Sequence, residues 1–272
     1  MRVYEQICIS HIGNRPNHED NFLFGGKYIT PTEQKAMTEK RSVCRTEKTT
    51  SNVRFFAVSD GMGGHNAGEI ASLICVTRLA ELESTVQNCG SITDVVRLCQ
   101  KAISEINNEV CAKSNEKSSL KGMGATLVLL VMCGSECAML NIGDSRAYLF
   151  DGLNLTKITK DNTEGQRMLD LKLLSPGEIE KFPARKNLNR YIGFNEPGVQ
   201  LTADEYFLNL QSEVILLCSD GVSDSLTDDE IKEYLLADPN VEIAANKMIN
   251  RAIAEDGSDN ATAIVVSIKE GF

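Results

Sequence analysis

The sequence predicts a layered α+β fold, in which strands and helices occupy separate stretches of the chain instead of alternating strictly. Several strand-like segments follow one another between about residues 122 and 160. Two long helical segments precede that group, and two more close the chain. This order disfavours a doubly wound parallel sheet, which alternates a strand with a helix along its length.

Four short apolar runs have the continuous character of strands that are buried on both faces. They cover residues 53–58, 126–133, 214–218 and 262–268. A further strand candidate lies around residues 7–12. Strands of this kind belong in the interior of a layered protein, where other layers cover both faces of the sheet.

Three segments between these strands repeat apolar residues at spacings of three and four, as amphipathic helices do. They are residues 67–83, 92–110 and 241–252. The first is apolar on most of its faces, which is expected of a helix that packs on a sheet.

Start signals support these helices and add another. Ser91 is a predicted N-cap with Asp94 three residues on, and Asn240 precedes the last helix. Thr227 and Glu230 have the spacing of a capping box, which opens a fourth helix.

Two long stretches show no clear periodicity. Residues 27–52 are rich in Lys, Thr and Glu, and we interpret them as a long hairpin or an extended, mobile loop. Residues 161–198 mix helix-like and turn-like signals, including Ser175-Pro176-Gly177. Stretches of this length inside a compact domain are usually functional or disordered.

Composition and charge indicate one globular domain over residues 1–272. The chain is 42% apolar, has six prolines and contains no Gly/Ser-rich or Pro-rich linker. A net charge of −10 disfavours binding to nucleic acid or to an anionic membrane, because both need positive potential. The start of the chain shows no targeting signal, and no apolar run is long enough to span a membrane, so we expect a cytoplasmic protein. We also expect a monomer.

The cysteines fit that compartment. Their number, nine, is odd, and several lie inside apolar runs. We therefore expect reduced and mostly buried thiols.

Acidic residues stand beside Gly or Asn at five strand ends. Two predicted strands both end in Ser-Asp-Gly, which places Asp60 and Asp220 at equivalent points. The other acidic residues are Glu19 and Asp20 after the first strand candidate, Asp144 between strands, and Asp259 before the last strand.

Carboxylates that converge repel one another, so a cation is needed to keep them charged. An all-oxygen set without clustered His or Cys selects a hard octahedral ion, magnesium or manganese. A glycine after Asp60 would allow its backbone carbonyl to approach such an ion. A single Asp-Gly pair is more often a turn, so the prediction of a metal site rests on the whole set. An EF-hand starting at Asp256 fails, because Ala261 and Ser267 stand where that loop needs Gly and Glu.

Six motifs stand in order along nearly the whole chain: Arg15-Pro16-Asn17-His18-Glu19-Asp20-Asn21, Asp60-Gly61-Met62-Gly63-Gly64-His65, Gly122-Met123-Gly124-Ala125-Thr126-Leu127, Asn141-Ile142-Gly143-Asp144-Ser145-Arg146, Leu217-Cys218-Ser219-Asp220-Gly221-Val222 and Ser258-Asp259-Asn260-Ala261-Thr262. Each alone is a weak signal. As an ordered set they resemble the metal-dependent protein phosphatase family, the protein phosphatase 2C type, in its compact bacterial form. The resemblance implies a four-layer α-β-β-α sandwich of two central antiparallel sheets flanked by helices, with metal ions in a cleft at one end.

The resemblance also implies metal ligands. Asp60 would bridge two divalent ions, and the carbonyl of Gly61 would bind the second of them. Asp220 and Asp259 would bind the first ion.

Further roles come from the same resemblance. Glu19 and Asp20 would lie at the second ion or just behind it, through water. Asp144 and Asp224, with Asp220, would hold a weaker third ion. Arg15 would bind the substrate phosphate with its planar donor fork. Of the residues named, Arg15, Glu19 and Asp60 are the predicted catalytic ones.

The activity implied is hydrolysis of phosphoserine and phosphothreonine on proteins. Two Mn²⁺ or Mg²⁺ ions roughly 3.5 to 4 Å apart would activate a water for in-line attack on phosphorus, without a phosphoenzyme. The implied partners are phosphorylated proteins and a Ser/Thr kinase that acts on them, in a signalling role.

The chain departs from the family at two motif positions, and residues 27–52 look longer than in the compact bacterial members. Met62 stands where many eukaryotic members have a histidine that is proposed to protonate the leaving group. His65 lies nearby, but a lone histidine at a helix start is more often a solvent-facing residue. Lys160-Asp161-Asn162-Thr163 stands where the family commonly has Asp-His-Ser, so residues 161–198 resemble an altered form of the family's mobile flap.

Three other functions were considered. A cysteine-dependent phosphatase needs Arg six residues after its Cys, and none of the nine cysteines has one. The Gly-x-Ser-x-Gly motif of serine hydrolases is absent. A catalytically inactive binding or regulatory module on the same fold stays open as the alternative, because a fold does not fix a function.

Overall fold

The structure is a computed structural model that describes residues 2–40, 42–49, 53–63, 67–134, 136–196 and 198–270. The strands are β1 (Arg2–His11), β2 (Asn21–Phe24), β3 (Ser42–Thr49), β4 (Val53–Ser59), β5 (Gly61–Met62), β6 (Gly124–Ala125), β7 (Leu127–Cys133), β8 (Glu136–Ile142), β9 (Arg146–Phe150), β10 (Leu155–Lys157), β11 (Asp204–Asn209), β12 (Val214–Cys218) and β13 (Ala261–Glu270). The helices are α1 (Pro31–Lys40), α2 (Gly68–Thr85), α3 (Ile92–Ser114), α4 (Glu164–Asp170), α5 (Pro176–Ile179), α6 (Asp220–Ser223), α7 (Asp228–Ala237) and α8 (Val241–Glu255).

Two antiparallel sheets form the centre of the molecule. One has six strands in the order β10-β9-β12-β13-β1-β3, and the other has five in the order β11-β8-β7-β4-β2. The short strands β5 and β6 pair with each other at the end of β4. All four predicted apolar strands are present, and so is the candidate at the start of the chain.

Alternate residues of the central strands belong to different hydrophobic cores. In β4, Val53, Phe55 and Ala57 pack in the core beneath α2 and α3, whereas Phe56 and Val58 pack between the two sheets. A third core joins the six-stranded sheet to α7 and α8. Three cores between four layers explain why these strands carry apolar residues on both faces. The predicted four-layer α-β-β-α sandwich is confirmed.

The predicted helix starts are at the expected positions. Thr227 and Glu230 form the capping box, with Thr227 N donating to Glu230 Oε2 at 2.9 Å and Glu230 N donating to Thr227 Oγ1 at 3.3 Å. Asn240 Oδ1 accepts the Glu242 N–H at 2.9 Å. Ser91 precedes α3 as predicted, but its side chain makes no capping bond.

The prediction of a hairpin or loop over residues 27–52 is wrong. The segment contains α1 and β3, while residues 41 and 50–52 lie outside the described residues. Thr30 starts α1, because Thr30 N donates to Glu33 Oε2 at 3.1 Å and Glu33 N donates to Thr30 Oγ1 at 3.3 Å. β3 pairs with β1 as the outermost strand of its sheet. An exposed helix and an edge strand need few apolar residues, so the periodicity of both was too weak to detect.

Residues 161–198 contain α4, α5 and turns, as their mixed signals suggested, and only residue 197 is not described. Hydrogen bonds near the C-terminal end of this segment attach it to the rest of the protein. Ile192 and Ala125 exchange two backbone hydrogen bonds of 2.8 and 2.9 Å. The Gly193 N–H donates to Asn107 Oδ1 on α3 at 2.7 Å. These bonds hold the segment against the end of the sandwich where β5 and β6 lie.

Six of the nine cysteines are buried, in agreement with the prediction that most of them lie in the core. In the described part of the chain, no helix has the length and hydrophobicity needed to cross a membrane.

Candidate metal centre

A cleft of about 580 Å³ opens at one end of the sandwich and collects most of the predicted site residues. Its lining includes Arg15, Glu19, Asp60, Gly61, Asp144, Asp220 and Asp259. Met62, Thr126, Lys186 and Tyr191 complete much of the wall. Asp20 and Asp224 are not part of this lining. The cleft lies where both sheets end, as the position of the acidic residues at strand ends predicted.

Asp60 is held at the end of β4 by Thr126. The Asp60 N–H donates to Thr126 Oγ1 at 3.0 Å, and the Thr126 N–H donates to the Asp60 carbonyl at 2.8 Å. Ser59 Oγ donates to the Thr126 carbonyl at 2.8 Å. These bonds fix the backbone of Asp60, so that its carboxyl group has a defined place in the cleft.

The glycines after Asp60 and Asp220 are required by close packing of the backbone. A methyl group on Gly61 would overlap the carbonyl groups of Gly68 and Glu19, and one on Gly221 would overlap the carbonyl of Asn260. The sequence suggested that Gly61 was small so that its own carbonyl could approach an ion. The structure adds a different reason, since neighbouring backbones fill the space where a Cβ would lie.

Replacing Gly221 by alanine is expected to lower the free energy of unfolding by about 2–3 kcal/mol, because the new methyl group must displace the backbone of Asn260. Gly177 is the matched control, since nothing lies within 4 Å of a Cβ built there. Gly177→Ala should leave stability unchanged or slightly raised. Urea unfolding of both variants in metal-free buffer checks this, and equal stabilities would contradict it.

Glu19 and Asp20 follow β1 in a loop that Asn260 holds. Asn260 Nδ2 donates to the carbonyls of Ile12 and Asn17 at 2.8 and 3.1 Å, and its Oδ1 accepts the Glu19 N–H at 2.6 Å. Asp20 is only 1% exposed and lies behind the cleft wall. The role of Asp20 at the second ion or just behind it, through water, stays a prediction.

The electrostatics of the cleft are those of crowded carboxyl groups. Burial and the Asp220 charge raise the pKa of Asp60 well above its usual range. Burial and the charge of Asp220 raise the pKa of Asp144 to about 7. Burial also raises the pKa of Asp20 to about 7, although hydrogen bonds from Thr262 and Ser219 oppose the shift. A cation in the cleft would oppose these shifts, because it stabilises the charged form of each group.

The donor set fits a divalent cation. Every candidate ligand is an oxygen atom, and Asp220 Oδ1 is buried without a hydrogen-bond partner among the described residues. No three Asp, Glu, His or Cys side chains of the described ranges are already grouped tightly enough to hold a metal ion. Arg15 Nη2 contacts Asp259 Oδ2 at 2.7 Å. A divalent ion among these oxygen atoms would offset the repulsion between the crowded carboxyl groups.

The residues predicted for a third ion are arranged differently. Asp144 and Asp220 line the cleft, but Asp224 Oδ2 pairs with Lys186 Nζ at 2.6 Å. Lys186 comes from the segment 161–198, so this ion pair joins that segment to α6 at the cleft mouth. No local sequence pattern indicates this pairing, because it depends on how a long irregular segment folds back.

Met62 lines the cleft beside Gly61, so an apolar side chain stands next to the carboxylates. His65 lies outside the described residues. Of Lys160-Asp161-Asn162-Thr163, Asp161 pairs with Arg146 at 2.8 Å and Asn162 Oδ1 accepts the Gly143 N–H at 2.9 Å. These two residues therefore support the loop that carries Asp144.

Sequence reasoning missed the hydroxyl side chains behind the carboxylates. Thr126 Oγ1 bonds to Ser145 Oγ at 2.6 Å next to Asp60 and Asp144. In the other sheet, Ser219 and Thr262 bond to Asp20. The available signal was the Ser or Thr within three residues of Asp144, Asp220 and Asp259, whereas Thr126 is distant in the sequence from all of them.

The four-layer sandwich and the acidic cleft at its end define the structural class of the metal-dependent phosphatases. The family model of Protein phosphatase 2C matches residues 44–254. The chain belongs to the Protein phosphatase 2C family.

Several relatives are named as serine/threonine phosphatases. The serine/threonine protein phosphatase PstP of Mycobacterium tuberculosis is 34% identical over 80% of this chain and 41% of its own length. The serine/threonine phosphatase stp of Listeria monocytogenes is 33% identical over 77% of this chain and 82% of its own. A solved catalytic domain of PstP in complex with two manganese ions has a TM-score of 0.78 at 28% identity, over 99% of this chain and 100% of that one. The match thus spans less than half the length of the Mycobacterium relative.

Proposed function

We propose that this protein hydrolyses phosphoserine and phosphothreonine esters on proteins, with two divalent ions held in the cleft. The observation that carries the proposal is the set of five acidic side chains and one arginine that line a single cleft at the end of the sandwich. Membership of the Protein phosphatase 2C family and the names of the relatives support it. The PstP catalytic domain with two manganese ions supports the ion count and favours Mn²⁺, with Mg²⁺ as the other candidate.

Asp60, Asp220 and Asp259 would hold the two ions, together with the Gly61 carbonyl. Glu19 would lie at the second ion. When bound, the ions supply positive charge that polarises the phosphoryl group and activates a water molecule. The acidic side chains lose their mutual repulsion at the same time, so ion binding and deprotonation of the cleft favour each other.

A second group of residues completes the proposed site. Asp20 would orient water behind the second ion, and Asp144 and Asp224 would contribute to a weaker third ion once Lys186 has moved. Arg15 would bind the phosphate oxygens, because its guanidinium already lies at the cleft edge with Nε on the Ser258 carbonyl at 2.9 Å.

The leaving alkoxide needs a proton that Met62 cannot provide. Lys186 and Tyr191 line the same cleft and carry exchangeable protons. Residues 161–198 supply both, so this flap-like segment would shape the side of the cleft where the departing serine or threonine lies. We regard residues 1–272 as one catalytic domain that contains this segment.

A phosphothreonine peptide assay tests the proposal. Purified protein should release phosphate in the presence of Mn²⁺, lose the activity in EDTA and regain it when Mn²⁺ is restored. Activity that persists in EDTA would contradict the metal mechanism. Absence of activity with both Mn²⁺ and Mg²⁺ would favour a catalytically inactive binding module.

We further propose that the protein acts in the cytoplasm as a monomer, opposite a Ser/Thr kinase that shares its substrates. The acidic composition and the substrate chemistry support this setting. Sedimentation velocity at micromolar concentration would reveal a dimer if this assignment is wrong.

A further inference from the structure

A chain of buried hydrogen bonds runs behind the cleft from His18 to Asp20. Thr262 Oγ1 and Ser219 Oγ both lie against Asp20 Oδ2, at 2.6 and 2.8 Å. Ser10 Oγ is 2.7 Å from Thr262 Oγ1, and His18 Nε2 is 2.9 Å from Ser10 Oγ. None of the five side chains is more than 3% exposed. A polar chain this deeply buried is costly unless its bonds are all made.

The chain ties together the segments that carry the acidic residues. Ser10 lies on β1 and Thr262 on β13, which are neighbours in the six-stranded sheet. Ser219 stands at the end of β12, next to Asp220, and the Thr262 N–H donates to its hydroxyl at 3.0 Å. His18 and Asp20 belong to the loop after β1, which also carries Arg15 and Glu19. One network thus sets the relative position of three loops of the cleft.

The number of hydrogens fixes the direction of every bond when Asp20 is a carboxylate. Thr262 gives its only hydroxyl hydrogen to Asp20, so it must accept from Ser10. Ser10 then has no hydrogen left and must accept from His18 Nε2. His18 therefore carries its proton on Nε2.

We propose that His18, Ser10 and Thr262 are positioning residues for Asp20 and thereby set the affinity of the cleft for divalent ions. The network occupies Asp20 Oδ2. The two hydroxyl groups hold Asp20 by this oxygen and so fix the position of its carboxyl group behind the cleft wall. This inference rests on the proposed function, since it gives Asp20 its role behind an ion. Outer-shell partners of metal ligands commonly change metal affinity by 10- to 100-fold.

Thr262→Val and Thr262→Ser form the matched test. Valine keeps the shape of threonine without its hydroxyl, whereas serine keeps the hydroxyl and loses only the methyl group. We expect Thr262→Val to weaken Mn²⁺ and Mg²⁺ binding by about 10-fold or more and Thr262→Ser to stay within a few-fold of the unsubstituted protein. Isothermal titration calorimetry of the full chain measures both. Thr77→Val is the control, because the Thr77 hydroxyl bonds only within α2.

The outcomes separate the two proposals. Equal ion affinity for Thr262→Val and the unsubstituted protein would overturn the positioning role, and so would equal losses in the valine and serine variants. The calorimetry involves no substrate, so failure of the peptide assay alone would leave this inference standing and would remove only the phosphatase proposal. If Thr262→Val does not fold, Ser10→Ala takes its place with the same expected loss, since it breaks the chain one bond further back.

A spectroscopic measurement tests the direction of the chain. The protein has only three histidines, so long-range ¹H–¹⁵N spectra of the Mg²⁺-loaded protein can resolve His18, with His18→Gln for assignment. We expect the Nε2–H tautomer in the unsubstituted protein. An Nδ1–H tautomer would contradict the hydrogen count on which the proposal depends.

Discussion

Asp60→Asn is expected to lower kcat/KM for a phosphothreonine peptide by at least about 10³-fold, which corresponds to about 4 kcal/mol of transition-state stabilisation. Asparagine preserves the size of Asp60 and the backbone bonds to Thr126 but removes the charge that would bridge two ions. Initial rates at saturating Mn²⁺ measure the effect. Asp229→Asn, on the exposed first turn of α7, is the control and should keep full activity.

The same substitution is expected to raise the stability of the metal-free protein. Burial and the Asp220 charge raise the folded-state pKa of Asp60 above its unfolded value. The folded state then binds more protons than the unfolded state, so this group makes stability fall as the pH rises above the unfolded pKa. Asparagine has no such dependence. Thermal unfolding in EDTA should show a higher Tm for Asp60→Asn at pH 7.5 and a smaller difference at pH 4.

A loss of activity together with a loss of stability would contradict this account of Asp60. That result would mean that the carboxyl group stabilises the fold directly and that inactivity follows from unfolding. Full activity in a stable Asp60→Asn protein would remove Asp60 from the proposed metal site.

Arg15→Ala is expected to lower kcat/KM by about 10- to 100-fold, mainly through a higher KM, because a charge-assisted hydrogen bond to the phosphate is lost. Arg15→Lys should recover only part of the loss, since lysine is a point charge without the planar fork. Steady-state kinetics on the peptide measure both variants.

Arg15 Nη2 also contacts Asp259 Oδ2 at 2.7 Å, so an alternative role for Arg15 is to position Asp259. If Arg15 served only to place Asp259, the substitution would change the Mn²⁺ affinity and leave KM at saturating Mn²⁺ unchanged. That outcome would contradict the phosphate-binding role.

The sequence could predict the elements that depend on local patterns. The apolar strands were visible because both faces of each sheet are covered, so that Leu127–Cys133 is apolar and buried at every position. The meeting of Asp60 and Asp220 in one cleft was predictable, because two apolar strands both end in Ser-Asp-Gly. The α1 helix was missed because its few contacts with the core, such as Met37, leave no periodicity, although Thr30 and Glu33 carried a capping-box signal.

Partnerships across the fold could not be predicted from spacing. Ser10 and Thr262 are 252 positions apart in the chain and 2.7 Å apart in space. Lys186 reaches Asp224 only because an irregular segment returns to the cleft. The need for glycine at position 61 was likewise not predictable, because the atoms that a side chain would overlap belong to the backbones of Glu19 and Gly68. Such contacts follow from tertiary packing, which no local pattern encodes.

The central claim is that divalent ions bound by the cleft carboxylates make this protein a phosphatase. A single Mn²⁺ titration tests it, with bound Mn²⁺ and phosphate release measured on the same samples of the unsubstituted protein and of Asp220→Ala. The account predicts that phosphate release rises with the amount of bound Mn²⁺ in the unsubstituted protein. At the same Mn²⁺ concentrations, Asp220→Ala should show neither bound Mn²⁺ nor phosphate release. Phosphate release that is independent of bound Mn²⁺, or an Asp220→Ala protein as active as the unsubstituted one, would contradict the claim.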